Sequence, residues 1–228
     1  MLEDSISYPL RGEWIGRIGI GGILTVLMIL FFPAFLLFGY YVRVMDETTQ
    51  GRSDPPEFTD WGELFVNGIL AFIISLVYAL IPIVGWFVVV FGVIGTGSLV
   101  GGDGGGLLAG VGLLMILALV PLLFLVSYIV PAVLANFAAT GSIGGAFDFG
   151  TLTSLWLSID YIIAVVLIFA INLAVQIVAS ILGATVIGLV LVPFVLFYSN
   201  MVFARLIGIA YVESVGRSSR RATSGVSI

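Results

Sequence analysis

The chain has 228 residues, of which 61% are hydrophobic and 9% charged, against about 25% charged in an ordinary soluble domain. All eight basic residues are Arg, thirteen acids give a net charge of −5, and there is no Lys, His or Cys. Disulfides, thiolate chemistry, imidazole metal sites and His-based acid–base catalysis are thereby excluded.

Four stretches, 18–42, 64–102, 104–147 and 161–204, contain no charged residue. About 20 helical residues cross a hydrocarbon core about 30 Å thick, so each stretch can span and the longest can span twice. Backbone groups in lipid must be satisfied within the segment, which makes these runs helices. The alternating ten-residue pattern of a membrane β-barrel is absent. The expected fold is all-α: a polytopic helical membrane protein of about five transmembrane helices, six as the alternative, with interfacial helices and Pro/Gly elbows. Residues 1–215 form one membrane domain in this reading, and the Ser/Arg-rich 216–228 a disordered tail.

The N-terminal segment to Gly16 lacks a basic n-region, so no cleaved signal peptide is expected. Segment one runs from about Ile18 to Tyr41, with Pro33 late in it. The polar connector after it contains Pro55 and Pro56, which cannot be helical there. Asp60 and Glu63 have capping-box spacing, so a helix restarts near Trp61, an aromatic suited to a membrane interface. Asp54, Glu57, Asp60 and Glu63 recur every three residues and read as a solvated acidic face in preference to a cation site. Segment two, about Leu64–Ile94, is read as one helix kinked at Pro82, with a hairpin there as the alternative. Gly95–Gly106 is a glycine-rich linker, lacking the Lys and Ser/Thr of a phosphate-binding loop.

Segment three covers about Leu107–Ile129, and 131–158 is expected to hold a short interfacial helix, with Asp148 anchoring it. The last apolar run would be about 66 Å as a single helix. It therefore folds back at Gly183–Gly188 into segment four (about Ile159–Leu182) and segment five (from Thr185). Pro33, Pro131 and Pro193 each lie near the end of an apolar segment and outline a weak repeat, with chance resemblance as the alternative. If real, it puts the ends of segments one, three and five on one side. A five-span path then leaves Met1–Arg17 outside and Arg43, Arg52, Arg205, Arg217, Arg220 and Arg221 inside. A six-span path places Arg11 and Arg17 inside and Arg43 and Arg52 outside; the positive-inside count is the same.

Two candidate sites stand out. Asn172, Gln176 and Ser180 are spaced by four and form one polar helical face. Their ordinary role is hydrogen bonding between helices; a polar pathway or head-group site is the sharper alternative. Asp160 and Arg205 fall near one membrane face in a hairpin of segments four and five and are expected to pair. Gly12/Gly16 and Gly106/Gly110 have the spacing of close helix contacts.

With Gly39-Tyr-Tyr-Val-Arg, Pro56-Glu-Phe-Thr-Asp-Trp-Gly-Glu-Leu-Phe-Val-Asn-Gly and Pro131-Ala with Phe137-Ala and Gly145-Ala-Phe-Asp-Phe in view, the chain resembles a family of uncharacterised multi-pass membrane proteins common in haloarchaea. The resemblance covers about 8–215 and implies a haloarchaeal-type origin, in keeping with the Lys-free acidic composition. It carries over no activity and no catalytic residue. A non-enzymatic scaffold, assembly or lipid-organising component is favoured over a small-solute transporter or channel. A serine-type intramembrane protease lacks its His or Lys base. Expected partners are membrane lipid and a membrane protein or second copy; no nucleic acid and no cofactor are expected. The expected location is the cell membrane, with the C-terminus cytoplasmic.

Overall fold

The computed structural model describes residues 1–97 and 104–224, and all regular structure among them is helical. The elements are α1 (Leu2–Ser7), α2 (Trp14–Val26), α3 (Phe32–Thr49), α4 (Trp61–Gly97), α5 (Gly104–Thr140), α6 (Phe149–Trp156), α7 (Ile159–Gly183) and α8 (Val186–Ser224). Tight 3-10 turns lie at Tyr8–Leu10, Leu27–Leu30 and Ile143–Phe147. Four stretches are long and apolar enough to cross a membrane: Trp61–Val88, Leu119–Thr140, Ile159–Gly183 and Val186–Gly216. A fifth is counted if Leu2–Leu10 and Trp14–Leu30, bent by 89°, form one broken span. The expected all-α polytopic architecture is present. The chain divides into two compact units, 1–72 with 132 onward, and 73–131.

In the first unit, segment one is not a single helix. It breaks at Phe31, which takes φ of +61°. Pro33 explains why the break falls here: it lacks an N–H and so cannot continue α2, yet it fits the first turn of α3, where no donor is needed. The chain then doubles back. Phe197 of α8 touches both sides of the hairpin, its ring lying where a Cβ on Gly21 would be and 5.6 Å from the ring of Tyr40. These contacts lie almost equally far from Phe31 along α2 and α3. The tip carries Ile29, Leu30, Phe31 and Phe32, all more than half exposed.

α3 and α4 cross with backbone against backbone. A Cβ on Gly39 would lie 1.8 Å from the Leu64 carbonyl oxygen, and one on Gly68 1.7 Å from that of Phe35. Only glycine fits at either place. The expected close contact at Gly12/Gly16 does not form, since nothing lies within 4 Å of a Cβ on Gly16; Gly106/Gly110 lies outside the residues whose side chains are described. α4 starts at Trp61 as expected, but Asp60 has φ of +51° in place of an extended cap. Glu63 bonds Arg43.

α7 and α8 form the expected antiparallel hairpin. The Ser158 and Ser214 hydroxyls meet at 2.6 Å at one end. At the other, the Thr185 N–H donates to the Leu182 carbonyl (2.9 Å) and the Gly188 N–H to Thr185 Oγ1 (2.9 Å). This turn satisfies its own backbone, as a segment in lipid must. α8 continues to Ser224, past the Gly216 boundary drawn from composition.

Pro131 does not end a helix. α5 runs through it to Thr140, so the interfacial helix expected over 131–158 is confined to α6. Asp148 caps α6: Oδ1 accepts the N–H groups of Gly150 (3.1 Å) and Thr151 (3.3 Å).

In the second unit, α4 passes Pro82 without interruption, in agreement with the single-helix reading of segment two. Gly85 faces Leu119, and Pro82, Ile83, Trp86, Leu119 and Leu123 line an apolar cavity of about 200 Å³. Of the glycine-rich linker expected over Gly95–Gly106, 95–97 end α4 and 104–106 begin α5 in place of a loop, and 98–103 lie outside the described residues.

Candidate functional site

The polar chemistry of the first unit gathers at one end. Arg205, near the C-terminal end of the apolar part of α8, is 8% exposed. Its Nε donates to Asp4 Oδ2 (3.1 Å), and its Nη1 to the Arg52 carbonyl (2.7 Å) and Thr48 Oγ1 (3.3 Å). The guanidinium also lies 4.6 Å from the ring centre of Tyr8, which is fully buried. Asp4 bridges to a second cation, accepting from Arg11 Nη2 at 2.6 Å, and Arg11 Nη1 reaches the Ser53 carbonyl at 2.7 Å. Burial works to raise the Asp4 carboxyl, but bonds from Arg11 and Arg205 outweigh it and hold the pKa below its ordinary value. Burial pushes the Tyr8 phenol up to about 12.

Arg17 forms a second tie. It is 6% exposed at the start of α2, and its described acceptors are backbone carbonyls: Arg11 (2.9 Å), Pro56 (3.2 Å) and Pro9 (3.5 Å). Tyr40 donates to the same Pro56 oxygen at 2.9 Å, and its ring stacks on Phe58 at 4.2 Å. The Pro-rich connector is thus pinned onto the ends of α2, α3 and α8.

Arg205 has a different partner from the one expected. It sits on Asp4, and none of the described ion pairs joins it to Asp160. Asp160 is buried in the first turn of α7, at the same end of the α7–α8 hairpin. The bonds of Arg205 to Asp4 and to the Arg52 carbonyl, with that of Arg11 to the Ser53 carbonyl, together overturn both membrane paths read from the sequence. Met1–Arg17 meets Arg52, Ser53 and Arg205, so it cannot lie across the bilayer from them, as the five-span path has it. Nor can Arg11 and Arg52 be separated, as the six-span path requires. The reason is the α2–α3 hairpin, which enters and leaves at the same end. The C-terminal ends of α3 and α5 do gather there, against the middle of α8: Thr48 bonds Arg205, and Tyr211 donates to Asn136 Oδ1 at 2.8 Å.

A polar cleft of about 800 Å³ opens at this end, lined by Arg43, Asp46, Glu47, Arg52, Glu57 and Glu63 among others. Glu47 bonds Arg52 at 2.9 Å, and burial raises its pKa. Among the described residues no acidic group converges so as to hold a metal ion.

The polar face of α7 lies elsewhere. Asn172, Gln176 and Ser180 are all exposed. α7 turns Tyr161 and Ala164 inward, and only 6% of its apolar window is buried, against 28% for α8. Ser180 satisfies its hydroxyl by donating to the Gln176 carbonyl at 2.7 Å. The stripe therefore does not join helices within this chain, as its ordinary role would have it. The described cavities are lined by other residues.

A family described as "Protein of unknown function (DUF4013)" matches residues 22–184, most of the chain. The chain belongs to this DUF4013 family. The match begins inside α2 and ends at the α7–α8 turn, so it takes in the α2–α3 hairpin, the cleft and the α7 stripe. It leaves out Asp4, Arg11 and Arg205. No curated protein and no solved structure matches the chain.

Sequence reasoning missed Asp4, Arg11 and Tyr8 because the five-span path placed the N-terminal segment across the membrane from Arg205 and from the connector, and the six-span path placed it across from the connector.

Proposed function

We propose that this DUF4013 protein is a non-enzymatic membrane component that organises partners or lipid through its intramembrane surface, with α7 as the docking helix. One observation carries the reading: amide side chains stand on the outer face of the least buried span. Hydrocarbon offers Asn172 and Gln176 no hydrogen-bond partners, whereas a neighbouring helix does. Transport would use those amides to line a wet path, but the described polar cleft is lined by residues at the charged end, away from Gln176. The absence of His, Lys and Cys supports a role without catalysis.

The same reading places the chain in the cell membrane with its charged end, and the C-terminal part of α8, in the cytoplasm. Arg11, Arg17, Arg43, Arg52 and Arg205 share that end, as the positive-inside rule favours. The Lys-free acidic composition supports a halophilic, archaeal origin.

The chain contains no Cys, so Gln176→Cys gives one thiol to interrogate. In native membranes it should resist a water-soluble maleimide and cross-link to a neighbouring protein through a lipid-soluble bifunctional reagent. Rapid labelling by the water-soluble reagent would reject docking in favour of a transport path.

A further inference from the structure

We infer that α7 pairs with α7 of a second copy, in parallel, about a two-fold axis along the membrane normal. This inference rests on the reading of α7 as a docking helix and names its occupant.

The amides of α7 belong to a longer pattern. Ile162, Val165, Phe169, Asn172, Gln176 and Ala179, followed by Gly183, recur at alternating intervals of three and four. That is the a/d repeat of a left-handed helix pair, sustained for three heptads. Within the chain the seam is only partly covered, at Val165, Ala179 and Gly183. Phe169 is 68% exposed and Ile162 41%, Asn172 and Gln176 are exposed, and Val165 and Ala179 half-buried. The face toward α8 carries other residues, Tyr161 and Ala164 among them.

The two amides occupy central positions of this seam, where a polar residue fixes register and the number of strands. An amide side chain holds both a donor and an acceptor. Across a two-fold axis Asn172 faces Asn172 and Gln176 faces Gln176, so each amide gives one hydrogen bond and receives one. A second copy supplies this complement by symmetry, and the contact closes on itself without extending into a filament. Copies inserted the same way up can pair only in parallel, which is the arrangement these like-with-like contacts need. Ala179 and Gly183 let the backbones approach at the end of the seam.

The experiment is single-thiol cross-linking of the full chain in lipid vesicles. Gln176→Cys, Asn172→Cys and Val166→Cys are compared, Val166 being exposed on α7 but off the seam. Oxidation should give covalent dimer from the first two at several times the yield of the third. In the Cys-free background, Asn172→Leu with Gln176→Leu should weaken the dimer, read by dilution into lipid, roughly fiftyfold, the loss of four interhelical bonds of ordinary strength in membranes. Equal yields at all three positions would overturn the self-pairing. If, in native membranes, the Gln176→Cys chain instead cross-links to a protein of different mass, the two-fold pair is wrong while α7 docking stands. No adduct of any kind there, with the double Leu variant unchanged in its dilution behaviour, would remove both.

Discussion

Arg205 and Asp4, separated by 201 positions in the chain, are joined at 3.1 Å. This bond fixes the N-terminal segment to the same end of the first unit as the last apolar helix. The two segments therefore face the same side of the membrane. Glu3→Cys and Glu213→Cys, each alone in the Cys-free chain, should both be labelled by an impermeant thiol reagent from one and the same side, which the proposed orientation makes the side exposed in inverted vesicles and not in intact cells. Labelling of the two from opposite sides would require the Arg205–Asp4 contact to be absent.

The same bond predicts a pH dependence. The Asp4 carboxyl is held below its ordinary value of 3.8 by Arg11 and Arg205 against the upward pull of burial. A carboxyl depressed on folding adds stability above its unfolded pKa, and that contribution is lost as pH falls through the folded one. Hydrogen-exchange protection of 1–12 should therefore be steady from neutral pH to about pH 4 and decline below it. Asp4 is 37% exposed on its side chain, so solvent screening keeps the effect of Asp4→Asn to under about 1 kcal/mol. That variant should also lose most of the acid-dependent decline. A decline of equal size in the variant would assign it to other groups.

Asn136 predicts a larger and more local effect. It is 1% exposed, donates from Nδ2 to the Gly145 carbonyl at 2.8 Å, and accepts from the Tyr211 hydroxyl at 2.8 Å. It thus ties α5 to α8 and to the turn before α6. Asn136→Ala leaves two partners unsatisfied and should cost about 2–4 kcal/mol; Tyr211→Phe removes one bond and should cost about 1 kcal/mol. Combining them should cost less than the sum, because they share the lost bond. Thermal unfolding in detergent measures all three, and strict additivity would show that the bond contributes nothing.

The sequence made some features plain and hid others for physical reasons. Charge-free runs declare helices in lipid because nothing else satisfies the backbone there, so α4, α7 and the turn at Gly183 were legible. Proline was the ambiguous mark. In lipid-facing helices the neighbours re-satisfy the freed carbonyl, so Pro82, Pro131 and Pro193 pass inside α4, α5 and α8, whereas Pro33 sits beside a complete reversal. Nothing local separates these cases; Gly21 against Phe197 and Gly39 against Leu64 decide them, and both contacts are distant in sequence. The polar stripe on α7 was visible from its spacing. Its outward direction was not, because spacing by four defines a face without saying which neighbour covers it.

The α3–α4 crossing offers the sharpest contrast between glycines that look alike in sequence. Gly39→Ala and Gly68→Ala each drive a Cβ to under 2 Å from a backbone carbonyl oxygen on the neighbouring helix. No side-chain rotation can relieve such a clash, so the helices must move apart, disturbing the ring contacts of Phe35 with Phe65 and Phe72. Each should cost at least about 3 kcal/mol, at the upper end of overpacking. Gly16→Ala and Gly62→Ala meet open space and replace glycine within a helix, so they should leave stability unchanged or raise it by up to about 1 kcal/mol. Melting temperatures of the four variants in one detergent give the comparison. If Gly39→Ala melts with Gly62→Ala, α3 and α4 do not cross with their backbones in contact.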